Sequence, residues 1–306
     1  MAYKGLHGQI SSNNFKSILL LVGFPLLILG GVWIVVLLMN NMILDEITVN
    51  QFLTTVPLVL AVVGIWFLIA YFFNAKMIAF STKSHTLSRK ENMRVYNLVE
   101  NLCMSQGMKM PKVHIIETDA LNAFASGLNE KTYTVTLTRG IIEKLDDAEL
   151  EGVIAHELAH IINRDVRLLI VSIIFVGILG FVVQVTLRSF LWGGGNRKKQ
   201  DGRLILIILL VSAVVYFLTI IFRFALSRKR EYMADAGAVE MTKRPDALAS
   251  ALKKISGRSE IEEVTSSDVK SMMIENNAKE KKGFSFSSLF ATHPPIEKRI
   301  AFLEQL

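Results

Sequence analysis

Four long runs of apolar residues without a charged side chain divide the sequence. They are Ser17–Met39, Val56–Phe73, Leu168–Leu187 and Leu204–Phe222. Each has close to the roughly 20 residues that an α-helix needs to cross the hydrocarbon core of a bilayer. A helix in the core of a soluble protein normally keeps a polar face, which all four runs lack. The pattern therefore predicts an α-helical membrane protein with four transmembrane helices.

The polar stretches around these runs predict one soluble domain, which the second pair of spans interrupts. Together these stretches are long enough for such a domain. Residues 1–75 are predicted to contain two spans, at about 17–39 and 56–73, joined by a short exterior loop. Residues 168–222 are predicted to form a transmembrane hairpin with spans at about 168–187 and 204–222. The soluble domain then consists of residues 76–167 and 223–306. Within residues 223–306, Thr265–Ser288 is rich in Ser, Lys, Asn and Gly, which predicts a loop.

The distribution of basic residues predicts the orientation in the membrane. The loop Asn40–Thr55 contains Asp45 and Glu46 but no Lys or Arg, whereas basic residues follow the second span from Lys76 onward. Since cytoplasmic loops carry the excess of Lys and Arg, we expect the amino terminus and the soluble domain to be cytoplasmic. The loop between the third and fourth runs departs from this rule, because it has five basic residues against Asp201 alone. Two arrangements stay open: a hairpin that crosses the bilayer twice, which the length of each run favours, or a pair that is re-entrant or packed on the domain.

The composition excludes several other classes of protein. Charged residues make up 20% of the chain, below the roughly 25% of average soluble domains. Six prolines and 19 glycines are too few for a collagen-like or disordered chain, and the single cysteine, Cys103, cannot form an internal disulfide. In so apolar a chain the net charge of +7 reflects membrane topology, so we expect no nucleic-acid partner.

The soluble segments alternate between helical and strand patterns. Apolar spacing in Ser88–Met108 predicts a helix, and β-branched residues in Lys112–Ile116 and Thr132–Thr138 predict strands. Asn122–Gly127 fits an edge strand that ends in a glycine turn. The Asp146-Asp147 pair would cap a further helix. These elements predict a mainly helical domain with a small sheet.

The helix after Asp146 contains the motif His156-Glu157-Leu-Ala-His160. Residues four apart lie on one helical face, so both imidazoles can bind one metal ion. Glu157 lies beside them and can reach a water on that ion without being a ligand. The alternative is an amphipathic helix without metal, but the motif is specific because two of only six histidines lie in it. The sequence therefore predicts a zinc site.

A catalytic zinc site needs a third protein ligand in addition to a water. The extended motif with a third histidine is excluded, because Asn163 and Val166 occupy its positions. A carboxylate from elsewhere is required, and it must lie on the same side of the membrane as His160.

Glu231 satisfies this condition if the hairpin crosses twice or not at all. Asp235 lies four residues later and could hydrogen-bond a ligand histidine, which would set the tautomer of that histidine. From spacing alone, an ion pair between Glu231 and Arg228 or Arg230 on a solvated helix is an equal alternative.

Four segments of the sequence resemble the HtpX family of membrane-bound zinc peptidases, relatives of the CAAX prenyl proteases. They are His156–Asp165, Arg228–Asp235, Asn122–Gly127 and Thr292–Pro295. With the four spans, the resemblance covers nearly the whole chain. It implies a mainly helical α+β zincin (gluzincin-like) metallopeptidase domain with one zinc ion per chain, held by His156, His160 and Glu231, and with Glu157 as the catalytic residue.

The same resemblance implies further site residues. His293, in Thr-His-Pro-Pro, would lie near the metal and stabilise the oxyanion, although it could also be an ordinary turn histidine. Arg299 is a candidate of the same kind on the substrate side. Asn122 and Ala123 resemble the edge-strand residues to which zinc peptidases bind a substrate backbone by strand addition. Asp165 is expected at the helix end or as a support for a ligand.

We therefore expect a multi-pass zinc endopeptidase of the cell (inner) membrane with a cytoplasmic active site. By resemblance it would hydrolyse misfolded or damaged membrane proteins in quality control during stress, so its partners would be polypeptide substrates and the lipid bilayer. One alternative is a CAAX-type protease that acts on prenylated peptides, but those relatives have more than four spans. Another is a non-catalytic membrane scaffold pinned by zinc, but structural zinc sites are usually closed by four protein ligands.

Overall fold

A computed structural model is the basis for the description of the fold. It describes residues 6–174, 177, 188, 209–210, 212–214, 216, 229–256, 258–259, 261, 272–274 and 294–306. Most of the third and fourth predicted spans, His293 and all of Thr265–Ser288 except residues 272–274 lie outside the described residues.

Two long helices occupy the amino-terminal part of the chain. Helix α1 spans Leu6–Met39 and helix α2 spans Glu46–Thr82, so both extend beyond the first two predicted apolar runs. Both are long and apolar enough to cross a membrane, and only 11% of the most apolar window of each is buried. The prediction of apolar helices in this region is thus confirmed, and they are candidate membrane spans.

The described part of the chain divides into two compact units. One contains the stretch from Phe15 to Phe72, and Trp33 and Phe52 make an edge-to-face ring contact within it. The other contains Asn14 and the residues before it, together with the sheet and the shorter helices.

The second unit contains a small sheet and six helices that are shorter than α1 and α2, and residues 165–170 are helical as well. The strands are β1 (His85–Thr86), β2 (Lys112–Ile116), β3 (Ala123–Ser126) and β4 (Thr134–Thr138), and the helices are α3 (Met93–Ser105), α4 (Arg139–Lys144), α5 (Asp147–Ile162), α6 (Lys229–Thr242), α7 (Pro245–Ile255) and α8 (Ile296–Leu303).

The sheet has the strand order β1-β2-β4-β3. Strands β2 and β4 are parallel, whereas β1 and β3 pair antiparallel with their neighbours. The predicted edge strand at Asn122–Gly127 is confirmed, because β3 lies at one end of this order. Helix α3 begins later than predicted, since the side chain of Asn92 accepts a hydrogen bond from the Val95 amide and thereby caps the helix at Met93.

Helix α5 is the centre of the second unit. Asp146 and Glu149 form a capping box at its start, which confirms the predicted cap. The helix packs against α3, α6, α7 and β3. Glycines permit two of these contacts: a Cβ on Gly152 would come within 3.3 Å of Leu248, and one on Gly237 within 3.1 Å of Ala159. The second approach brings α6, which contains Glu231, close to the His-Glu-x-x-His motif.

Candidate metal centre

Helix α5 holds the side chains of His156, Glu157 and His160 inside the protein. Apolar residues of this helix, including Leu150 and Leu158, are fully buried against its neighbours. As a result His156 and Glu157 are almost inaccessible to solvent, and the side chain of His160 is 12% exposed. The motif therefore lies in a largely dry environment, where electrostatic interactions are strong.

Three donor atoms converge at this place, from α5 and from α6. The Nε2 atoms of His156 and His160 are 3.2 Å apart. Each of them is 3.7 Å from Oε2 of Glu231. Ligand atoms about 2.0–2.1 Å from a tetrahedral zinc ion are separated by about 3.3–3.4 Å, so these distances fit one shared ion. Two imidazoles and a carboxylate are also the donor types that catalytic zinc sites use.

The electrostatics of the cluster favour a bound cation. Burial by itself lowers the pKa of His160, but the Glu231 carboxylate and the hydrogen bond to Asp165 outweigh it and raise the pKa to about 10. Two imidazole nitrogens that face each other at 3.2 Å cannot both carry a proton without repulsion. A divalent ion at this place would supply the positive charge that the carboxylates favour and could bind both nitrogens at once.

A carboxylate orients each of the two imidazoles from behind. Nδ1 of His156 is 2.9 Å from Oδ1 of Asp235, and Nδ1 of His160 is 3.2 Å from Oδ2 of Asp165. An Nδ1–H that donates to a carboxylate leaves the Nε2 lone pair for a metal and increases its basicity. The sequence predicted such a contact for Asp235 and left two roles open for Asp165.

Arg299 lies behind His156 and is 1% exposed. Its Nε and Nη2 donate to the two oxygens of Asp235 at 2.9 and 2.6 Å, and its Nη1 donates to the carbonyl of Ile274 at 3.0 Å. Burial raises the pKa of Asp235, but the Arg299 charge prevails and lowers it to about 2. Arg299 therefore keeps Asp235 ionised beside His156. The substrate contact expected of Arg299 from the sequence stays a prediction.

Glu157 faces a small cavity next to the donor atoms. Burial raises its pKa and outweighs the neighbouring imidazoles of His156 and His160, which lower it. A buried carboxyl group with a raised pKa is suited to accept and return a proton. The cavity is also lined by residues from three other segments of the chain, among them Ala125, Arg230, Glu231 and Met272.

The outer edge of β3 makes contacts with the chain itself. The side chain of Asn122 donates to the carbonyl of Ser259 at 2.7 Å, and the carbonyl of Ala123 accepts the amide of Ile274 at 2.9 Å. Both Asn122 and Ala123 are buried. A peptide that adds to β3 at the Ala123 carbonyl must replace Ile274, so substrate binding by these two residues stays a prediction.

Two residues near the centre are not singled out as functional by the sequence. Asn13 donates from Nδ2 to Asp165 at 2.6 Å and to the carbonyl of Asn163 at 2.9 Å. Arg230 lines the cavity, whereas the sequence suggests it only as an ion-pair partner of Glu231. The one available signal for Asn13 is the polar Asn13-Asn14 pair just before an apolar run.

Comparisons with known proteins agree with this chemistry. A model of peptidase family M48 matches residues 89–306. A protein named "Protease HtpX homolog" from Bacteroides fragilis is 51% identical to this chain over 321 residues. The alignment covers the whole of both chains. A protein of the same name from Listeria monocytogenes is 37% identical over 314 residues, which cover 98% of this chain and the whole of that relative. The resemblance to the HtpX family that the motifs indicate is thus confirmed.

Among solved structures, that of S. mikatae Ste24p is similar to this chain with a TM-score of 0.49 and 19% sequence identity. The match covers 97% of this chain and 66% of the other. A likeness at this level does not define the fold any further.

Proposed function

Because the chain belongs to peptidase family M48, we propose that it hydrolyses peptide bonds of misfolded or damaged membrane proteins at the cytoplasmic face of the cell (inner) membrane, with one zinc ion. The chain is a metallopeptidase and a membrane protease. The observation that carries the proposal is the convergence of His156, His160 and Glu231, whose donor atoms lie 3.2–3.7 Å apart. Membership of a peptidase family argues against the non-catalytic scaffold.

In the proposed site, the two histidines and Glu231 hold the zinc ion. When bound, zinc supplies a Lewis acid that polarises the scissile carbonyl and lowers the pKa of water. Asp235 and Asp165 keep the Nδ1 protons of the histidines in place, so that both Nε2 atoms face the ion. Arg299 in turn holds Asp235 in its ionised form.

Glu157 moves the proton in the proposed reaction. It accepts a proton from the attacking water while the water oxygen bonds to the carbonyl carbon. It then donates this proton to the amide nitrogen while the C–N bond breaks, so that a carboxylic acid and an amine result. Its burial and its raised pKa support both transfers.

The membrane topology that we propose has four crossings and a cytoplasmic active site. The absence of Lys and Arg from Asn40–Thr55 and the basic residues after the second span support this orientation. His160 and Glu231 must bind one ion, so the apolar runs between them cross the bilayer twice or not at all. Each run is long enough to cross, which favours the crossing hairpin.

The proposal is tested with the full chain purified in detergent. We expect about one zinc per chain, cleavage of casein and of a destabilised membrane protein, and loss of cleavage when a chelator removes the zinc. In cells, the destabilised membrane protein should persist longer with Glu157→Gln than with Glu151→Gln, a matched change on the same helix. A chain that binds zinc but leaves the membrane protein intact in both settings would contradict the proposed substrate class.

A further inference from the structure

A buried arginine lines the cavity beside the candidate metal centre. Arg230 is 7% exposed and precedes Glu231 in α6. It lines the same cavity as Glu157 and His160, and Ala125 of the edge strand lines it too. Its charge is permanent, because a guanidinium does not lose its proton in proteins.

Two donor atoms of this guanidinium lack hydrogen-bond acceptors among the described residues. Its Nε and Nη1 atoms are buried, and the part of the chain that the structure describes offers neither of them a hydrogen-bond partner. The nearest charged group recorded for it is Oε1 of Glu231, 3.7 Å from Nε, which is beyond hydrogen-bond distance. Buried donors without acceptors destabilise the folded chain, so a purely structural role does not explain Arg230.

Arg230 differs from Arg299 in the hydrogen bonds of its guanidinium. Both arginines are buried near the donor atoms of the metal centre. Arg299 binds both oxygens of Asp235 and the carbonyl of Ile274 through its own donors. Arg230 instead presents two donors without acceptors in a cavity that also contains Glu157. The acceptor for Arg230 is therefore expected to come from a molecule that enters this cavity.

We propose that Arg230 donates hydrogen bonds to the scissile carbonyl oxygen of a bound peptide and stabilises the negative charge that develops there in the transition state. This inference rests on the proposed peptidase function. The carbonyl oxygen is neutral in the bound substrate and becomes anionic as water adds to its carbon. A charged donor already in place binds the anionic form more strongly than the neutral one, and this difference accelerates the reaction. Arg230 is thereby a catalytic residue, whereas Arg299 is a positioning residue.

The test compares Arg230→Gln and Arg230→Lys with Arg244→Gln, a change of an exposed arginine directly before α7. For Arg230→Gln we expect kcat to fall about 100- to 1000-fold, as for the loss of other oxyanion donors, while KM stays within a few-fold. A phosphinic peptide, which mimics the tetrahedral transition state, should lose affinity by a similar factor. The affinity for an ordinary substrate peptide, measured with the inactive Glu157→Gln protein, should fall only slightly when Arg230→Gln is added.

Two further measurements separate catalysis from structure. The zinc content of Arg230→Gln should equal that of the unmodified protein, and its thermal unfolding midpoint without metal should be equal or higher, because a buried cation without acceptors has been removed. Arg230→Lys keeps the charge but not the planar fork, so it should recover part of the lost kcat.

Besides an unchanged kcat in Arg230→Gln, three results would overturn the assignment. They are a lower zinc content or unfolding midpoint in Arg230→Gln, a raised KM with unchanged kcat, or equal losses of affinity for the phosphinic and substrate peptides. If the unmodified chain cleaved no peptide at all, the proposed function itself would fail. If the unmodified chain cleaved peptides and Arg230→Gln had the same kcat, only the role of Arg230 would be contradicted.

Discussion

Nδ2 of Asn13 lies 2.6 Å from Oδ1 of Asp165, although 152 residues separate the two in sequence. The other oxygen of Asp165 is 3.2 Å from Nδ1 of His160, so a residue near the start of α1 supports a histidine of the candidate metal centre through one carboxylate. Asn13 also binds the carbonyl of Asn163, which ends α5. The start of the first helix therefore contributes a side chain that supports the centre.

Asn13→Ala is expected to weaken zinc binding. The side chain of Asp165 loses a donor and becomes free to rotate away from His160. Loss of a direct hydrogen bond to a ligand histidine typically weakens metal affinity about 10- to 100-fold, and Asn13 acts one bond further away, so we expect about 10-fold at most. Competition with a zinc chelator measures the change.

The neighbouring Asn14 provides the control for this experiment. Its side chain accepts a hydrogen bond from Arg164 at an exposed position and does not touch Asp165 among its recorded contacts. Asn14→Ala should leave the zinc affinity unchanged. Equal affinities in the two variants would show that Asn13 does not support the centre.

Glu157→Gln should keep zinc and lose nearly all turnover. The amide has nearly the same shape as the carboxylate but cannot accept the proton from water. Zinc content and kcat for a peptide substrate measure the two effects separately, and Glu151→Gln on the same helix should leave both unchanged. Activity of Glu157→Gln within tenfold of the unmodified protein would contradict its role as the base.

Glu231→Ala should lose zinc affinity and activity together, because it removes one of three protein ligands. Asp235→Asn should weaken both by only about 10- to 100-fold, since the ligand atoms stay in place. It should also lower thermal stability, because Arg299 stays buried without its counter-charge. Glu240→Ala, an exposed position on the same helix, is the matched control. Tightly bound zinc in Glu231→Ala would require a different third ligand.

Arg299→Lys should weaken zinc binding more than it changes KM. Lysine keeps the charge near Asp235 but cannot bind both of its oxygens and the Ile274 carbonyl at once. Zinc affinity and the kinetic constants at saturating zinc distinguish the two effects. A raised KM with unchanged zinc affinity would instead support the substrate contact that the sequence suggested.

The topology of the second pair of apolar runs is tested by cysteine labelling. We expect an impermeant maleimide to label Gly194→Cys on intact cells, because the loop lies outside if the hairpin crosses twice. The native Cys103 should stay unlabelled, since burial raises the pKa of its thiol to about 11. Glu240→Cys, at an exposed position of α6, should react only after permeabilisation if the active site is cytoplasmic. If Gly194→Cys also required permeabilisation, the crossing hairpin would be wrong and the zinc site unaffected.

The elements that the sequence predicts best are those governed by local rules. The cap at Asp146 and the strand Lys112–Ile116 follow from capping preference and from the alternation of side chains. The placement of His156 and His160 on one face follows from the period of the helix, which holds wherever the helix lies. The apolar runs do not determine the ends of α1 and α2, because both helices extend beyond them.

The partners of the buried polar groups were decided by the tertiary structure. The spacing of Glu231 fitted an ion pair with Arg230 as well as a metal ligand. Its carboxylate faces the two histidines because Gly237 lets α6 approach α5 closely. Likewise Arg299 binds Asp235, and Asn13 binds Asp165, from helices distant in sequence. A buried charge is stable only where distant segments supply its counter-charge and hydrogen bonds, and packing between those segments decides which groups meet.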